Sequence, residues 1–415
     1  MIRRVLSFMA LAGMALAPAV SVAAAMQGGE TVERVVMVMR HGVRPSTKFP
    51  ATPPGTTREP WPEWSTPAGD LTMHGAEAIR RLGTFDRMLM IQQGLLPATG
   101  CAPAGTLSAW ASAASRAIKT GRAFLDTLVP GCTTTLDHPA GEDEDETFHP
   151  SDAGLALDGD VALAAALRLA PPGGIAAEAA RNADAFRVLE RVTGCCPGKA
   201  CGTRKPPCTA SERGSRLVAE PGAKPDMKGA LSFASTAGQT ILLQYLEGMP
   251  MAQVGWGRAS PADIRTMLRF HPIKFRYETR PPYVSRRLAA PLARRVLDAV
   301  EGRSGKVTLL FGHDTNLAAL GGFYDLHWTM ADYPRDDVAP GGAIGFEVVR
   351  QADGRRFVRA FSQAQTMNQV RSLAVLDRVQ RPHRRYLTIP GCRAGVCALD
   401  AFSRLTSGLL QPPNR

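Results

Sequence analysis

Apolar run Val35–Met39 lies within a stretch, Val32–Met39, that reads as a strand buried on both faces, because it is valine-rich and continuous rather than alternating. A second apolar run, Val307–Phe311, also reads as a strand. Thr106–Ala111, Ala343–Val349 and Phe357–Ser362 are further strand candidates. Between them the apolar spacing becomes helical. Thr72 suits an N-cap, and Gly75–Gln93 carries Ile79, Leu82, Phe85 and Leu89 on one face. Ser115-Arg116 opens a helix with Ile118, Phe124, Leu125 and Leu128, Ala289–Val300 is another, and Thr315-Asn316 begins a third. Strands alternating with helices predict an α/β fold with a mainly parallel central sheet flanked by helices.

The middle of the chain differs. Residues 155–190 are rich in alanine and leucine at helical spacing, 193–225 are rich in Cys, Pro, Gly and Lys, and Lys228–Leu246 returns to helix. The expected organisation is an α/β domain from 26–134 and 276–415, with a mostly helical insertion at 135–275 that covers the active site. Residues 49–70, rich in Pro, Thr, Trp and Gly, read as an exposed loop.

At the N-terminus, Arg3-Arg4 precede an apolar stretch from Val5 to Val20 and the small residues Ala23-Ala24-Ala25. This is the pattern of an export signal, here residues 1–25, cut near Met26; Pro18 and the alanine-rich end argue against a membrane anchor. Cleavage lowers the formal charge from +12 to +10. The expected location is periplasmic or secreted, with no membrane attachment after cleavage. No Lys/Arg run with interleaved aromatics points to nucleic acid, so the expected partners of the positive surface are small anions. Eight cysteines in an exported chain suggest disulfides. Proximity favours Cys101–Cys132, worth roughly 3.5–4 kcal/mol in the chain-entropy model, and Cys392–Cys397, nearer 2. Cys195, Cys196, Cys201 and Cys208 fit no common zinc spacing. The acidic run Glu142–Glu146 reads as a solvated loop rather than a calcium site.

Ligands of open α/β sheets bind beyond the carboxyl ends of the strands, and three charged clusters fall there. They are Arg40-His41-Gly42-Val43-Arg44, Ser115-Arg116 and His313-Asp314. Arg116 and Thr315 also open helices, whose N-termini favour anions. Arg40, Arg44, Arg116 and His313 match the oxygens of a phosphoryl group. His41 can attack phosphorus if one ring nitrogen is free and the other donates to a fixed acceptor, such as a main-chain carbonyl near Gly42. Asp314 is the carboxyl available to protonate the leaving alcohol and then to deprotonate water. Each cluster taken alone also fits a surface turn or a helix cap; together they fit poorly as coincidence. Thr47 and Lys48 also suit turn and surface positions. His271, in Arg269-Phe270-His271-Pro272, reaches the site only if the insertion folds over it.

Arg40-His41-Gly42-Val43-Arg44-Pro45-Ser46-Thr47-Lys48 and Gly312-His313-Asp314-Thr315-Asn316-Leu317 resemble the two signatures of the histidine acid phosphatases, most nearly the bacterial periplasmic phytases and glucose-1-phosphatases. The segments 248–258, 326–329, 340–342 and 390–392 resemble that branch too. The resemblance implies a phosphoglycerate-mutase-like α/β domain with an α-helical insertion, and phosphomonoester hydrolysis through a phosphohistidine without metal or cofactor. It implies His41 as nucleophile, Asp314 as proton donor, and Arg40, Arg44, Arg116 and His313 as the phosphate pocket. Thr47, Lys48, His271 and Thr315 are then candidate substrate contacts, and a monomer acting on a small anionic ester is expected. Thr47 and Lys48 match phytases better than glucose-1-phosphatases. The acidic residue usual shortly before the third arginine is absent, Ser112-Ala113-Ala114-Ser115 standing there. A C-terminal cysteine after 397 is missing, and the 195–208 cluster has two extra, which the resemblance suggests pair with each other. The expected function is a phytase working at acidic pH. The alternatives are a glucose-1-phosphatase or other sugar-phosphate phosphatase and, more remotely, an inactive phosphate-ester binding protein; a mutase would lack its phosphorylated cofactor outside the cell.

Overall fold

The computed structural model describes residues 29–53, 55–194, 214–392 and 395–411. The expected export signal and the cysteines at 195, 196, 201 and 208 lie outside the described residues. Among the described residues the strands are β1 (Thr31–Arg40), β2 (Leu107–Ala111), β3 (Ser215–Val218), β4 (Asp226–Gly229), β5 (Val307–Gly312), β6 (Ala343–Arg350), β7 (Arg356–Ala364), β8 (His383–Leu387) and β9 (Cys397–Ala398). A seven-stranded sheet has the order β2-β5-β1-β6-β7-β8, with β9 pairing β7; β3 and β4 form a separate hairpin.

Parallel pairing is confined to β2, β5 and β1, and from β6 outward each pair is antiparallel. The expected parallel sheet is therefore found where the site lies, within a mixed sheet. The few residues 351–355 between β6 and β7 close a hairpin, so β7 runs antiparallel to β6, whereas a parallel neighbour needs a crossover of a dozen residues or more.

Along β1 the side chains divide between two cores, as the two-residue period requires. Val36 and Val38 pack into one core; Val35, Met37 and Met39 pack into the other. The second core is closed by α1 (Met73–Gln92) and α2 (Ser115–Leu128) through Ile79, Leu82 and Phe124. The first continues without a break into the middle of the chain. There, α3 (Gly159–Leu167), α4 (Gly174–Ala180), α5 (Ala183–Thr193), α6 (Ala230–Leu246), α7 (Pro261–Met267) and α8 (Phe270–Glu278) follow one another. Phe186, Leu231 and Phe270 share that core with Val296 of α10 (Ala290–Val300) and Leu320 of α11 (Asp314–Phe323). Helix α9 (Pro282–Leu288) precedes α10; α12 (Met367–Arg371) and α13 (Leu399–Leu410) follow β7 and β9.

Two expectations are refined. The β3–β4 hairpin takes Lys228 and Gly229, so the helix expected from Lys228 starts at Ala230. The expected domain limit at 275 falls inside α8. Cys101–Cys132 and Cys392–Cys397 are disulfides, as their proximity suggested.

Asp86 of α1 is buried, and both its carboxylate oxygens accept from Gln363 Nε2 of β7, at 2.9 and 3.0 Å. Burial outweighs the help of Gln363 and Arg384 and pushes the carboxyl up to about 6. The native state therefore holds this proton longer than the unfolded chain does, so stability falls as pH rises from about 4 through about 6. The full effect is at most roughly 3 kcal/mol, present above that range. Asp86→Asn should flatten this part of the stability profile and raise the melting temperature at pH 8 relative to pH 4. Parallel slopes for variant and wild type in thermal melts at the two pH values would refute it.

Candidate active site

The parallel register aligns the ends of three strands. Arg40 pairs with Gly312 and Ala111 with Phe311, so His41, His313 and Ser112 leave the sheet side by side. Backbone bonds continue the ladder one residue further: His41 N donates to Gly312 O at 2.9 Å, and Ser112 N to Phe311 O at 2.8 Å. On the other flank, Gly341 N donates to His41 O. Gly75 of α1 lets the helix start lie against residue 43; a Cβ there would stand 2.5 Å from Val43 O. Thr72 caps α1 by accepting from Gly75 N at 2.8 Å, and its own N–H donates to Val43 O. The loop after β1 is thus held from three sides.

Within it, His41 is 1% exposed. Its Nδ1–H donates to Gly42 O at 2.9 Å, and Arg44 Nε donates to its Nε2 at 3.3 Å. A main-chain carbonyl is the expected fixed acceptor, and Nε2 carries the lone pair. Burial, then Arg44 and Arg40, hold the imidazole well below its ordinary pKa, so it stays neutral in acid. Burial also brings Arg44 down to about 9, far above any acidic working range.

Arg40 is equally buried, and its NH2 lies 2.8 Å from Asp314 Oδ2. The same guanidinium donates to Val338 O at 2.5 Å and to Gln239 Oε1 at 3.3 Å. Burial alone would raise the Asp314 carboxyl, but Arg40, then His271 and His41, outweigh it and keep the carboxyl well below its ordinary range. His271 bridges two acids: its Nδ1 meets Asp337 Oδ1 at 2.6 Å and its Nε2 lies 3.6 Å from Asp314 Oδ2. Although burial opposes it, Asp337 and Asp314 raise this imidazole above its ordinary value. The position from 135–275 that sequence reading made conditional therefore does reach the cluster.

Arg116, second residue of α2, faces the charges of Glu142 and Asp314, with burial lowering its pKa. His313 packs edge-on to His41, ring centroids 5.5 Å apart. Thr315, whose N–H donates to Asp314 Oδ1, is half-buried in the first turn of α11. Thr47 and Lys48 stand apart: both are exposed, a few residues beyond Arg44, with no polar contact to the cluster.

Three residues at the site were not expected from sequence. Gln239 of α6 carried no signal within an apolar helix. Ser112 occupies the stretch where an acid was missing, and its Oγ lies 3.1 Å from His313 Nε2. His149 lies 3.0 Å from the same nitrogen. The expectation of a solvated loop at Glu142–Glu146 fails at Asp145, which is fully buried: its carboxylate accepts from Ala113 N at 3.2 Å and Phe148 N at 3.0 Å. A buried carboxylate needs such donors, and the bond from Ala113 N ties the segment, with His149, against the end of β2. Among the described residues, Glu142, His149 and Asp152 offer donor atoms within 4.8 Å of one another that could hold a metal ion; both carboxylates are exposed.

Residues 31–170 match the histidine phosphatase superfamily (branch 2). Phytase AppA of Escherichia coli is 32% identical over 397 residues, covering 91% of each chain. The chain belongs to that superfamily. Glucose-1-phosphatase of Salmonella typhimurium is 28% identical, covering 95% of this chain and 98% of its own. The structure of Hafnia alvei phytase in complex with myo-inositol hexakis sulphate superposes with a TM-score of 0.84 at 30% identity, covering 93% of this chain and 98% of its own. As a histidine acid phosphatase, the protein is a phosphoric monoester hydrolase. No helix among its described residues is long and apolar enough to cross a membrane.

His271→Asn keeps a partner for Asp337 and removes the cation beside Asp314. The Asp314 carboxyl should then titrate at higher pH than in wild type. Carboxyl-carbon NMR of the free protein reads this directly, and an unmoved titration would contradict the assigned electrostatics.

Proposed function

We propose that the protein is an exported phytase, hydrolysing inositol hexakisphosphate through a phosphohistidine on His41. The observation that carries this reading is the pairing of a buried His41, its Nδ1 held by Gly42 O and its Nε2 facing only the long 3.3 Å contact from Arg44, with Asp314 held across Arg40. In the first step Nε2 bonds to phosphorus while the ester oxygen leaves, taking a proton from Asp314. In the second, Asp314 removes a proton from water, whose oxygen displaces His41 and releases inorganic phosphate. Arg40, Arg44, Arg116 and His313 receive the non-bridging oxygens, and preorganised donors of this kind are typically worth about 100- to 1000-fold in rate each.

An Asp314 that is ionised in the free enzyme must gain a proton before it can donate one. A phosphoryl dianion seated among the arginines offsets the cations that hold the carboxyl down, and burial then favours the acid form. Acidic working conditions follow, and His41 remains unprotonated in them. Residues 135–275 act in this scheme as the insertion that closes the site, contributing His149, Gln239 and His271. Thr47 and Lys48, exposed at the rim, and Thr315 are assigned to the outer phosphates of the substrate. The similarity to phytases supports the substrate; the similarity to a glucose-1-phosphatase supports a sugar phosphate as the second reading.

Phosphate release from phytate and from glucose 1-phosphate, measured side by side, should favour phytate in kcat/KM. His41→Ala should lose about 1000-fold or more with both and form no acid-labile phosphoenzyme. A preference for glucose 1-phosphate would replace the phytase reading, and an active His41→Ala would remove the covalent intermediate.

A further inference from the structure

Helices α8 and α11 carry His271 and Asp314 in their first turns and run away from the reaction cluster. A helix of ten residues, the length of α11, spans about 15 Å. At the far ends of the two helices lies a cleft of about 700 Å³, the size of a small-molecule site, and none of the residues assigned to phosphate lines it.

Part of the lining is apolar. Leu405 and Leu409 of α13 contribute, with Phe323 at the end of α11 and Leu169, a leucine left 41% exposed. The charged lining consists of Arg276, Arg280, Arg286 and Arg335 with Asp325, Asp336 and His327.

The acids do not cover the cations. Arg276 meets Glu178 at 3.2 Å. Asp336 is shared, its Oδ2 lying 2.7 Å from His327 Nδ1, 3.6 Å from Arg335 Nε and 4.0 Å from Arg280 Nη2. Asp325 pairs with His327 at 3.4 Å. Arg286, half-buried in α9, has no hydrogen bond or ion pair among the described residues. Four guanidiniums therefore stand against three carboxylates, Glu178 included.

Arg280 is the fixed member of this group. It is 9% exposed, its Nη2 donates to Leu326 O at 2.8 Å, and its guanidinium lies 5.5 Å from the centre of the Trp328 ring. Gly321 leaves room for it, since a Cβ there would stand 2.7 Å from Nη1. That Nη1 is buried without a partner, an unmet donor of a kind folded proteins seldom keep. Apolar side chains beside under-neutralised guanidiniums match one ligand chemistry, an anionic head on an apolar tail. A bare anion would leave the leucines in water, and an uncharged apolar molecule would leave the cations uncompensated.

We propose that this cleft binds a single-chain amphiphilic anion, its head received by Arg280 and Arg286 and its tail laid along Phe323, Leu405 and Leu409. Such a site is separate from phosphomonoester hydrolysis and stands a helix length from the reaction cluster.

The test is calorimetric titration with dodecanoate, below its micelle concentration, at about pH 8, where the carboxylate is ionised. Saturating inorganic phosphate is present throughout, so that the phosphate pocket is filled. Wild type should bind one equivalent. Acetate, which lacks the tail, and dodecyl maltoside, which lacks the charge, should each bind at least about tenfold more weakly. Arg286→Gln should weaken dodecanoate about tenfold by removing a charged donor, and Leu409→Ser about fivefold by removing apolar contact. Both variants should keep wild-type melting temperature and phosphatase turnover. If Leu409→Ser melts early, Arg286→Gln and the acetate comparison decide alone. Dodecanoate binding that is absent in wild type, that saturating phosphate abolishes, that acetate or dodecyl maltoside matches, or that Arg286→Gln leaves unchanged would overturn the proposal.

Discussion

The structure turns on a buried guanidinium. Arg40 ends the central strand with about 1% of its surface exposed, and a cation so placed is tolerated only with close partners. Asp314, Val338 O and Gln239 are those partners, drawn from the end of β5, the approach to β6 and the helix α6. One side chain therefore welds three distant parts of the chain together. It also holds the Asp314 carboxyl well below its ordinary range. In the proposed scheme stability and chemistry are coupled at this point, because the contact that satisfies Arg40 is also the one a phosphoryl group would loosen.

The electrostatics follow one pattern. Burial and neighbouring arginines hold His41 and His313 well below the usual imidazole range, while Arg40 and His271 hold Asp314 well below the usual carboxylate range. In the proposed scheme the pocket thus presents an excess of positive charge beside an unprotonated nucleophile. An incoming dianion meets attraction from the arginines and a lone pair at once, and its arrival moves Asp314 toward the acid form that burial prefers.

Much of this was legible in the sequence, for physical reasons. Apolar runs of this kind do not suit exposed strands, so β1 and β5 and their charged ends could be read directly. Helix α1 announced itself through Thr72 and its apolar face. The residues that escaped notice carry no periodic signal. Gln239 sits in a helix where polar side chains are usually solvated, and Asp145 lies inside an acidic run whose neighbours are exposed. What distinguishes Asp145 is a pair of backbone N–H donors, Phe148 N within its own turn and Ala113 N supplied by tertiary contact. The direction of β6 escaped too, because an apolar run says nothing of which way a strand travels; the short return at 351–355 fixes only β7 against β6.

The sheet presents its reactive ends with a fixed spacing, since His41, Ser112 and His313 are locked by a hydrogen-bonded ladder. His149, Gln239 and His271, by contrast, reach the same point from segments joined to the sheet through side-chain packing. Inheritance can therefore act on the two sets unequally. Substitutions among the latter can drift toward new esters or new acidities while the phosphorus-handling geometry is passed on intact.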